Sequence, residues 1–312
     1  MTQKRRRILG LFGTTLFILG LLGYTELYLE SQEIEASRIT LPFIALSDVP
    51  VQASEVPVPE LSASAAIAID YDSGSVLFKK NATTYYPPAS TTKLVTALVV
   101  LDYFSPQNEL TIGRLPPVSG SVLGLRYGQT YTVEDLLSAM LITSANDVAL
   151  EFAAAYPGGS VAFVQKMNEK ASELELQNTV FSNPAGFDFG QHHTTASDLA
   201  KIVRVAWGKQ NIRTAMGTKH TTITDTTGVV RHELIATNQL LHDDDTVLGG
   251  KTGTTEKAGE VLIEVERRDE RTILTVVLGS TDRYSDTIAL TNWIYENYTW
   301  QKVSPPHVPK QE

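Results

Sequence analysis

The sequence predicts a mixed α/β (α+β) domain in which one antiparallel sheet is flanked by helices and carries an inserted helical subdomain. The domain opens with two apolar-rich strand patterns around a Gly-containing turn, at Ala65–Tyr71 and Ser75–Lys80. Three more strand patterns lie near its end, and helical patterns dominate the stretch between the two groups. Strands at both ends with helices between them favour one sheet built from the two ends of the chain.

The N-terminus has the pattern of an export signal. Lys4–Arg7 are four consecutive cations, and Ile8–Tyr24 is apolar or small throughout, an order that keeps the basic end in the cytoplasm. The small residues that a signal peptidase requires do not follow directly, and the first option lies near Ala36. We therefore expect residues 1–30 to be a retained membrane anchor. A cleaved signal, which would release a secreted protein, is the alternative.

Residues 31–62 are predicted to form an extended linker, because four prolines interrupt them and no clean alternation of apolar and polar residues appears. A short added strand is the alternative for this segment. The main domain is predicted to span residues 63–302. Residues 303–312 carry three prolines and are predicted to be a disordered tail.

Capping residues and apolar periodicity predict the remaining elements of the domain. The helices are expected after Pro88, from Thr132 to Leu141, at Asn146–Ala155, at Val161–Leu176, from Thr195 to Gly208 and at Ser285–Tyr298. The late strands are expected at Val247–Thr255, Glu260–Glu266 and Thr272–Gly279, with the charged run Arg267–Arg271 as the last turn.

Composition and missing motifs exclude several classes of function. The net charge of −9 over 312 residues argues against nucleic acid as a partner. The chain has no cysteine, so disulfides and thiolate metal sites are excluded. It has neither a Gly-x-Ser-x-Gly elbow nor a His-Glu-x-x-His pair, and the adjacent His192 and His193 form a poor metal pair. We expect no metal and no cofactor.

A serine and a lysine stand three residues apart where the first helix of the domain is expected to begin. Pro87 and Pro88 suit the turn before a helix, and Ser90 and Lys93 would project from one face of its first turn. A neutral lysine amine can act as the base for a serine nucleophile, provided that burial and a nearby like charge lower its pKa. A helix N-terminus with an incidental lysine is the alternative for this motif alone.

Two more short motifs follow in the chain. Ser144 and Asn146 form Ser-x-Asn, and Lys251 opens Lys-Thr-Gly with Thr252 and Gly253. Taken alone, the first could be a helix cap and the second a strand end. Each motif occurs once and the three come in a fixed order, which is the triplet of class A β-lactamases and penicillin-binding proteins.

Longer phrases extend these motifs from about Ala63 to Tyr298. They are Ala66–Lys80 (AIAIDYDSGSVLFKK), Pro88–Lys93 (PASTTK), Leu136–Asp147 (LLSAMLITSAND), Asn183–Gly186 (NPAG), Thr194–Leu199 (TTASDL) and Lys251–Thr254 (KTGT). As a set they resemble the D-alanyl-D-alanine carboxypeptidases, which are low-molecular-weight penicillin-binding proteins. The resemblance implies a penicillin-binding, β-lactamase-like transpeptidase fold.

The resemblance also implies a reaction and its catalytic residues. Ser90 would be the acylating nucleophile, Lys93 its base and Ser144 a proton relay to the leaving amine. The substrates would be peptidoglycan stem peptides ending in D-Ala-D-Ala, and β-lactams would be covalent inhibitors. An anchored enzyme of this kind would lie in a bacterial cell membrane with its catalytic domain on the extracytoplasmic side, where it would serve the cell wall and cell shape.

Substrate binding is implied for five further residues. Asn146 would orient the substrate backbone or hold Lys93, and Lys251 would attract the terminal carboxylate and keep Lys93 neutral by repulsion. Thr252 and Thr254 would offer hydroxyls to that carboxylate, and Gly253 would let the substrate approach the strand. The main-chain N–H groups of Ser90 and Thr254 would form the oxyanion hole.

Other functions remain as alternatives. A D,D-transpeptidase uses the same residues and differs only in what accepts the acyl group. A class A β-lactamase needs a deacylating glutamate in Glu-x-x-Leu-Asn, and Glu173–Asn178 is one residue out of register, with Ala145 where that family usually has aspartate. A non-catalytic penicillin-sensing wall-binding module is a remote alternative. Asn183–Gly186 is predicted to be a structural turn, and Arg283 to be a surface residue rather than a carboxylate contact.

Overall fold

A computed structural model describes residues 48–54 and 56–302. The predicted anchor at residues 1–30, the first half of the predicted linker and the predicted tail lie outside the described residues. Within the described part, no helix has both the length and the apolar character needed to cross a membrane.

The strands and helices follow one another in the order that the sequence predicts, with several short additions. The strands are β1 Val49–Gln52, β2 Ala65–Asp70, β3 Val76–Lys80, β4 Glu109–Thr111, β5 Thr130–Thr132, β6 His220–Thr224, β7 Arg231–Ile235, β8 Val247–Thr255, β9 Gly259–Arg268, β10 Arg271–Ser280 and β11 Tyr298–Gln301. The helices are α1 Lys93–Tyr103, α2 Val133–Ile142, α3 Asn146–Ala155, α4 Gly159–Glu173, α5 Ala196–Gly208, α6 Gln210–Met216, α7 Gln239–Asp243 and α8 Arg283–Asn297.

One five-stranded antiparallel sheet has the order β3-β2-β10-β9-β8. Two of its strands come from the start of the domain and three from its end, and most of the helices lie between them in the chain. The predicted sheet built from both ends is therefore confirmed. Strand β8 lies at the edge of this sheet, so one side of its main chain has no strand of this sheet beside it.

Both faces of the sheet are covered, and alternate side chains of β9 show this. Val261, Ile263 and Val265 belong to the large core shared with the helical subdomain. Leu262 belongs to a second core that includes Leu290 of α8. Helix α1 runs through the large core with its first eight residues, Lys93–Val100, all buried. A helix that is apolar all round is a core helix, and it carries the lysine at its start into the interior.

The end of the predicted linker packs on the domain. Strand β1 pairs with β11, so the added strand that was the alternative for this segment is present. The carbonyl of Val56 accepts a hydrogen bond from the Trp293 indole, and the Asp286 carboxylate accepts from the N–H groups of Ser62 and Ala63. Residues 48–54 and 56–62 are thus tied to the domain.

The sequence did not predict several short elements. They are the antiparallel strand pairs β4–β5 and β6–β7 and the helices α6 and α7. Strands β6 and β7 each bury one side chain, Ile223 and Leu234. One inward residue per strand produces no alternation that could be recognised.

Candidate active site

Ser90 lies on a single 3-10 turn, Ala89–Thr92, that leads directly into α1. Ala89 has a φ of +47°, in the left-handed region that a residue with a Cβ adopts only at a cost. Two glycines allow neighbouring segments of the backbone to approach this turn closely. A Cβ on Gly186 would lie 1.9 Å from the Ala89 carbonyl oxygen, and one on Gly253 would lie 2.9 Å from the Ala89 Cβ.

The Lys93 amine is fully buried behind Ser90. Its Nζ lies 2.9 Å from Ser90 Oγ, 2.7 Å from Asn146 Oδ1 and 2.7 Å from the Ala185 carbonyl oxygen. The last two atoms can only accept hydrogen bonds. A neutral amine has two hydrogens and one lone pair. When it donates both hydrogens to these acceptors, its lone pair is left facing the Ser90 hydroxyl.

Burial is the main reason why the pKa of Lys93 falls well below its usual value of 10.5. The positive charge of Lys251 lowers that pKa further, whereas the Asp147 carboxylate opposes the shift. The electrostatics therefore favour the same neutral amine as the hydrogen-bond geometry.

Lys251 lies on β8 and is also buried. Its Nζ donates to Ser144 Oγ over 2.9 Å and to the Thr252 carbonyl over 2.8 Å. Burial, with a smaller contribution from Arg283, lowers the pKa of Lys251 to about 7. Each of the two serines thus contacts its own buried lysine.

The Ser-x-Asn motif lies in the tight connection between α2 and α3. Ser144 has a φ of +62°, and Asn146 is the first residue of α3. The amide of Asn146 donates to the Ser119 carbonyl over 2.8 Å while its oxygen accepts from Lys93. The next residue, Asp147, accepts hydrogen bonds from the N–H groups of Leu123, Gly124 and Leu125. This carboxylate therefore holds the loop that contains Ser119, the partner of Asn146.

The three motifs meet at one cleft of about 380 Å³. Its lining includes six of the eight predicted site residues, Ser90, Ser144, Asn146, Thr252, Gly253 and Thr254. Lys93 and Lys251 lie buried behind this surface and reach it through the two serines. Other lining residues, which the sequence did not single out as site residues, are Gly120, Ser121, Thr237, Glu260 and Tyr284.

Arg283 corrects one expectation. The sequence favoured a surface arginine, but only 8% of this residue is exposed and it is one of the residues that line the cleft. It donates to the Gly253 carbonyl over 2.8 Å and to Thr254 Oγ1 over 2.5 Å, and it pairs with Glu260. The start of α8 lies against β8 and β9, a proximity that chain order does not reveal.

The turn Asn183–Gly186 does more than change the chain direction. Asn183 Oδ1 accepts hydrogen bonds from the N–H groups of Ala185, Gly186 and Phe187, which makes the turn rigid. This turn presents the Ala185 carbonyl to Lys93. The Asn-Pro-Ala-Gly sequence predicts the turn, but it contains no signal for the group that the turn faces.

The glutamate of the β-lactamase alternative lies away from the cleft. Glu173, at the end of α4, is exposed and forms ion pairs with Lys166 and Lys170. Within the described ranges, no group of three or more histidine, aspartate or glutamate side chains is placed to hold a metal ion.

Comparisons with known proteins point to the family that the sequence motifs resemble. A sequence profile of the family described as D-alanyl-D-alanine carboxypeptidase, Peptidase_S11, matches residues 51–282. The D-alanyl-D-alanine carboxypeptidase DacF of Bacillus subtilis is 29% identical over 245 residues, covering 76% of this chain and 63% of the relative. The D-alanyl-D-alanine endopeptidase of Escherichia coli is 29% identical over 243 residues, covering 76% and 78%. The crystal structure of the Streptomyces K15 DD-transpeptidase superposes with a TM-score of 0.71 at 29% identity, covering 77% of this chain and 100% of that one.

Proposed function

Because the chain belongs to the D-alanyl-D-alanine carboxypeptidase family, we propose that it is a serine-type D-Ala-D-Ala carboxypeptidase that trims peptidoglycan stem peptides. One observation carries the proposal. The two hydrogens of the neutral Lys93 amine have fixed acceptors, and its lone pair faces Ser90 Oγ. A general base requires this arrangement.

In the proposed acylation, Ser90 Oγ attacks the carbonyl carbon of the penultimate D-alanine and Lys93 takes the hydroxyl proton. The N–H groups of Ser90 and Thr254 stabilise the resulting oxyanion, and the loss of one such donor typically costs about 100- to 1,000-fold in rate. Ser144, held by Lys251, relays a proton to the departing amine, and the terminal D-alanine leaves. Water then hydrolyses the acyl-enzyme and restores Ser90.

The terminal carboxylate selects the substrate in this proposal. Lys251, Thr252 and Thr254 bind it, and the buried guanidinium of Arg283, which donates to Thr254 Oγ1, adds positive charge to the same wall of the cleft. The substrate main chain extends along the free edge of β8, where Gly253 permits close approach. β-Lactams present a carboxylate and a strained amide in a similar relation, and they acylate Ser90.

The acceptor of the acyl group distinguishes this reaction from its alternatives. Relatives of this chain bear the names carboxypeptidase, endopeptidase and DD-transpeptidase. The test is incubation of the purified full-length chain with a peptide ending in D-Ala-D-Ala, with and without an added amine acceptor. Mass spectrometry should find free D-alanine and hydrolysed peptide as the main products, and Ser90→Ala should form neither. Predominant amine-transfer product would favour a transpeptidase, and no turnover of any kind would contradict the enzyme proposal.

The proposal includes the location of the enzyme. Residues 1–30 act as a retained anchor in the bacterial cell membrane, and the catalytic domain at residues 63–302 lies on the extracytoplasmic side. The four cations before the apolar run support this orientation. Protease added to intact cells should degrade the catalytic domain. A mature protein that begins near Ser37 would show that the segment is cleaved and the enzyme secreted.

A further inference from the structure

His192 is a buried histidine that the proposed reaction does not use, and only 7% of the residue is exposed. Its Nδ1 accepts a hydrogen bond from the Ser182 main-chain N–H over 2.9 Å. An N–H group can only donate, so Nδ1 carries no proton and the ring hydrogen is on Nε2. Nε2 lies 2.8 Å from Thr92 Oγ1, and His192 therefore donates to that hydroxyl.

The hydroxyl of Thr92 makes a second hydrogen bond, to the turn that carries Ser90. Thr92 Oγ1 donates to the Ala89 carbonyl oxygen over 2.8 Å. Ala89 has a left-handed backbone, and it directly precedes Ser90 on the turn that leads into α1. A strained residue keeps its conformation only where its surroundings impose it. The hydrogen bonds from His192 to Thr92 and from Thr92 to Ala89 provide such a constraint.

The same ring also contacts the segment that presents the Ala185 carbonyl to Lys93. Ser182, which donates to His192, directly precedes Asn183, the residue that shapes the turn presenting the Ala185 carbonyl. One imidazole therefore connects the turn of the nucleophile with the turn that holds the base.

We propose that His192 is a positioning residue for the reaction proposed above, because it ties the Ser90 turn to the Ala185 turn and so maintains the contact between Ser90 and Lys93. The inference rests on the proposed function only for its effect on rate. Burial is the main reason why the pKa of His192 falls to about 4; the charge of Asp188 opposes this shift and His193 contributes to it, so the ring stays neutral at neutral pH.

The test removes the hydrogen bond between His192 and Thr92, once by changing the histidine and once by changing the threonine. His192→Asn keeps an acceptor near Ser182 N–H but is too short to reach Thr92, and Thr92→Val removes the hydroxyl at nearly constant shape. We expect each variant to slow acylation by a fluorescent penicillin about tenfold or more, because small displacements of reacting groups are costly. The dissociation constant of the initial non-covalent complex should change less than about twofold, since the proposed carboxylate contacts lie on β8.

Two features separate positioning from a general loss of stability. The double variant should acylate no more slowly than either single variant, because both break one link. Thr92→Ser keeps the hydroxyl and should restore the wild-type rate. Thr291→Val is the matched control, since it removes another buried threonine hydroxyl, in α8 away from the cleft. Acylation rates of Thr92→Val and His192→Asn equal to that of this control would overturn the inference.

A second measurement does not depend on catalysis. Hydrogen–deuterium exchange of the peptide covering residues 88–94 should be faster in His192→Asn and Thr92→Val than in the wild type and Thr291→Val. If the wild-type protein is not acylated at all, the proposed function fails, and this comparison still tests the link. Unchanged exchange in both variants would overturn the link itself.

Discussion

The amine of Lys93 donates a hydrogen bond over 2.7 Å to the carbonyl oxygen of Ala185, which lies 92 residues further along the chain. Together with Asn146 Oδ1, this carbonyl occupies both hydrogens of a neutral amine. The lone pair is then directed at Ser90 before any substrate binds. The turn at residues 183–186 is therefore part of the candidate site, and it explains how a lysine can be held ready as a base.

The first prediction concerns the nucleophile and its base. Ser90→Ala should abolish covalent labelling by a β-lactam, and Lys93→Ala should lose nearly as much because the serine then has no base. The double variant should resemble either single one, since residues that act as a unit are not additive. Intact-mass and peptide analysis of the wild type should show one adduct, stable for minutes or longer, on the peptide that contains Ser90.

Ser172→Ala, on the exposed surface of α4, is the control for this experiment and should label as the wild type does. An adduct on a residue other than Ser90 would refute the site assignment. Rapid turnover of the penicillin would instead favour the β-lactamase alternative, although Glu173 lies in ion pairs on the surface of α4.

The second prediction concerns the contact between Gly186 and the Ala89 carbonyl. Gly186→Ala should reduce both stability and β-lactam labelling, because its Cβ would lie 1.9 Å from that oxygen. Gly128→Ala is the matched control, since Gly128 also has a positive φ, +86°, but a Cβ there would meet nothing within 4 Å. The control should lower the free energy of unfolding by only about 1–2 kcal/mol, which is the cost of a left-handed backbone for a residue with a Cβ. Equal unfolding free energies for the two variants in a denaturant titration would show that the close approach is unimportant.

The sequence was most informative where pattern and chemistry are local. The strand at Val247–Thr255 and the helix at Asn146–Ala155 were predicted with the bounds that the structure has. Long apolar patterns and capping residues define such elements without help from distant parts of the chain. The three motifs likewise contain the residue types of the candidate site, and the structure brings all of them to one cleft.

The sequence was least informative where a side chain depends on a partner far away in the chain. The sequence shows His192 only as one half of a poor metal pair, because its partner Thr92 lies 100 residues earlier. Arg283 was predicted to be a surface residue, yet its partner Thr254 lies 29 residues earlier on a strand that the start of α8 contacts. A single sequence shows neither proximity, because both arise from packing between elements rather than from local preference.

The third prediction concerns pH. The value of kcat/KM for a D-Ala-D-Ala peptide should fall on the acid side as Lys93 becomes protonated. On the alkaline side it should fall near pH 7, because Lys251 has a pKa of about 7 in the free enzyme and loses the charge that binds the carboxylate. Lys251→Arg carries a guanidinium that stays charged, so its alkaline limb should move to higher pH. An unchanged alkaline limb in this variant would assign it to another group.

The last prediction concerns a buried carboxyl on the face of the sheet opposite the large core. Glu264 of β9 is 1% exposed, and its carboxyl accepts a hydrogen bond from the Asn238 amide over 3.4 Å. Burial raises the pKa of Glu264 from 4.5 to about 8; the Asn238 hydrogen bond and Arg268 oppose the shift, and Glu266 and Asp244 reinforce it. Between these two values the folded protein holds a proton that the unfolded chain releases. The free energy of unfolding should therefore fall as the pH rises through this window, by up to about 1.4 kcal/mol per pH unit from this group.

Glu264→Gln keeps the shape of the side chain and cannot ionise, so it should remove this decline. Wild type and variant should have similar unfolding free energies near pH 5, where the carboxyl is protonated in the folded protein. At pH 8 the variant should be the more stable of the two, as measured by denaturant titration at each pH. Glu109→Gln removes an exposed glutamate and controls for the change in net charge. If Glu264→Gln and wild type keep a constant difference from pH 5 to pH 8, Glu264 does not hold a proton in the folded protein and its raised pKa is wrong.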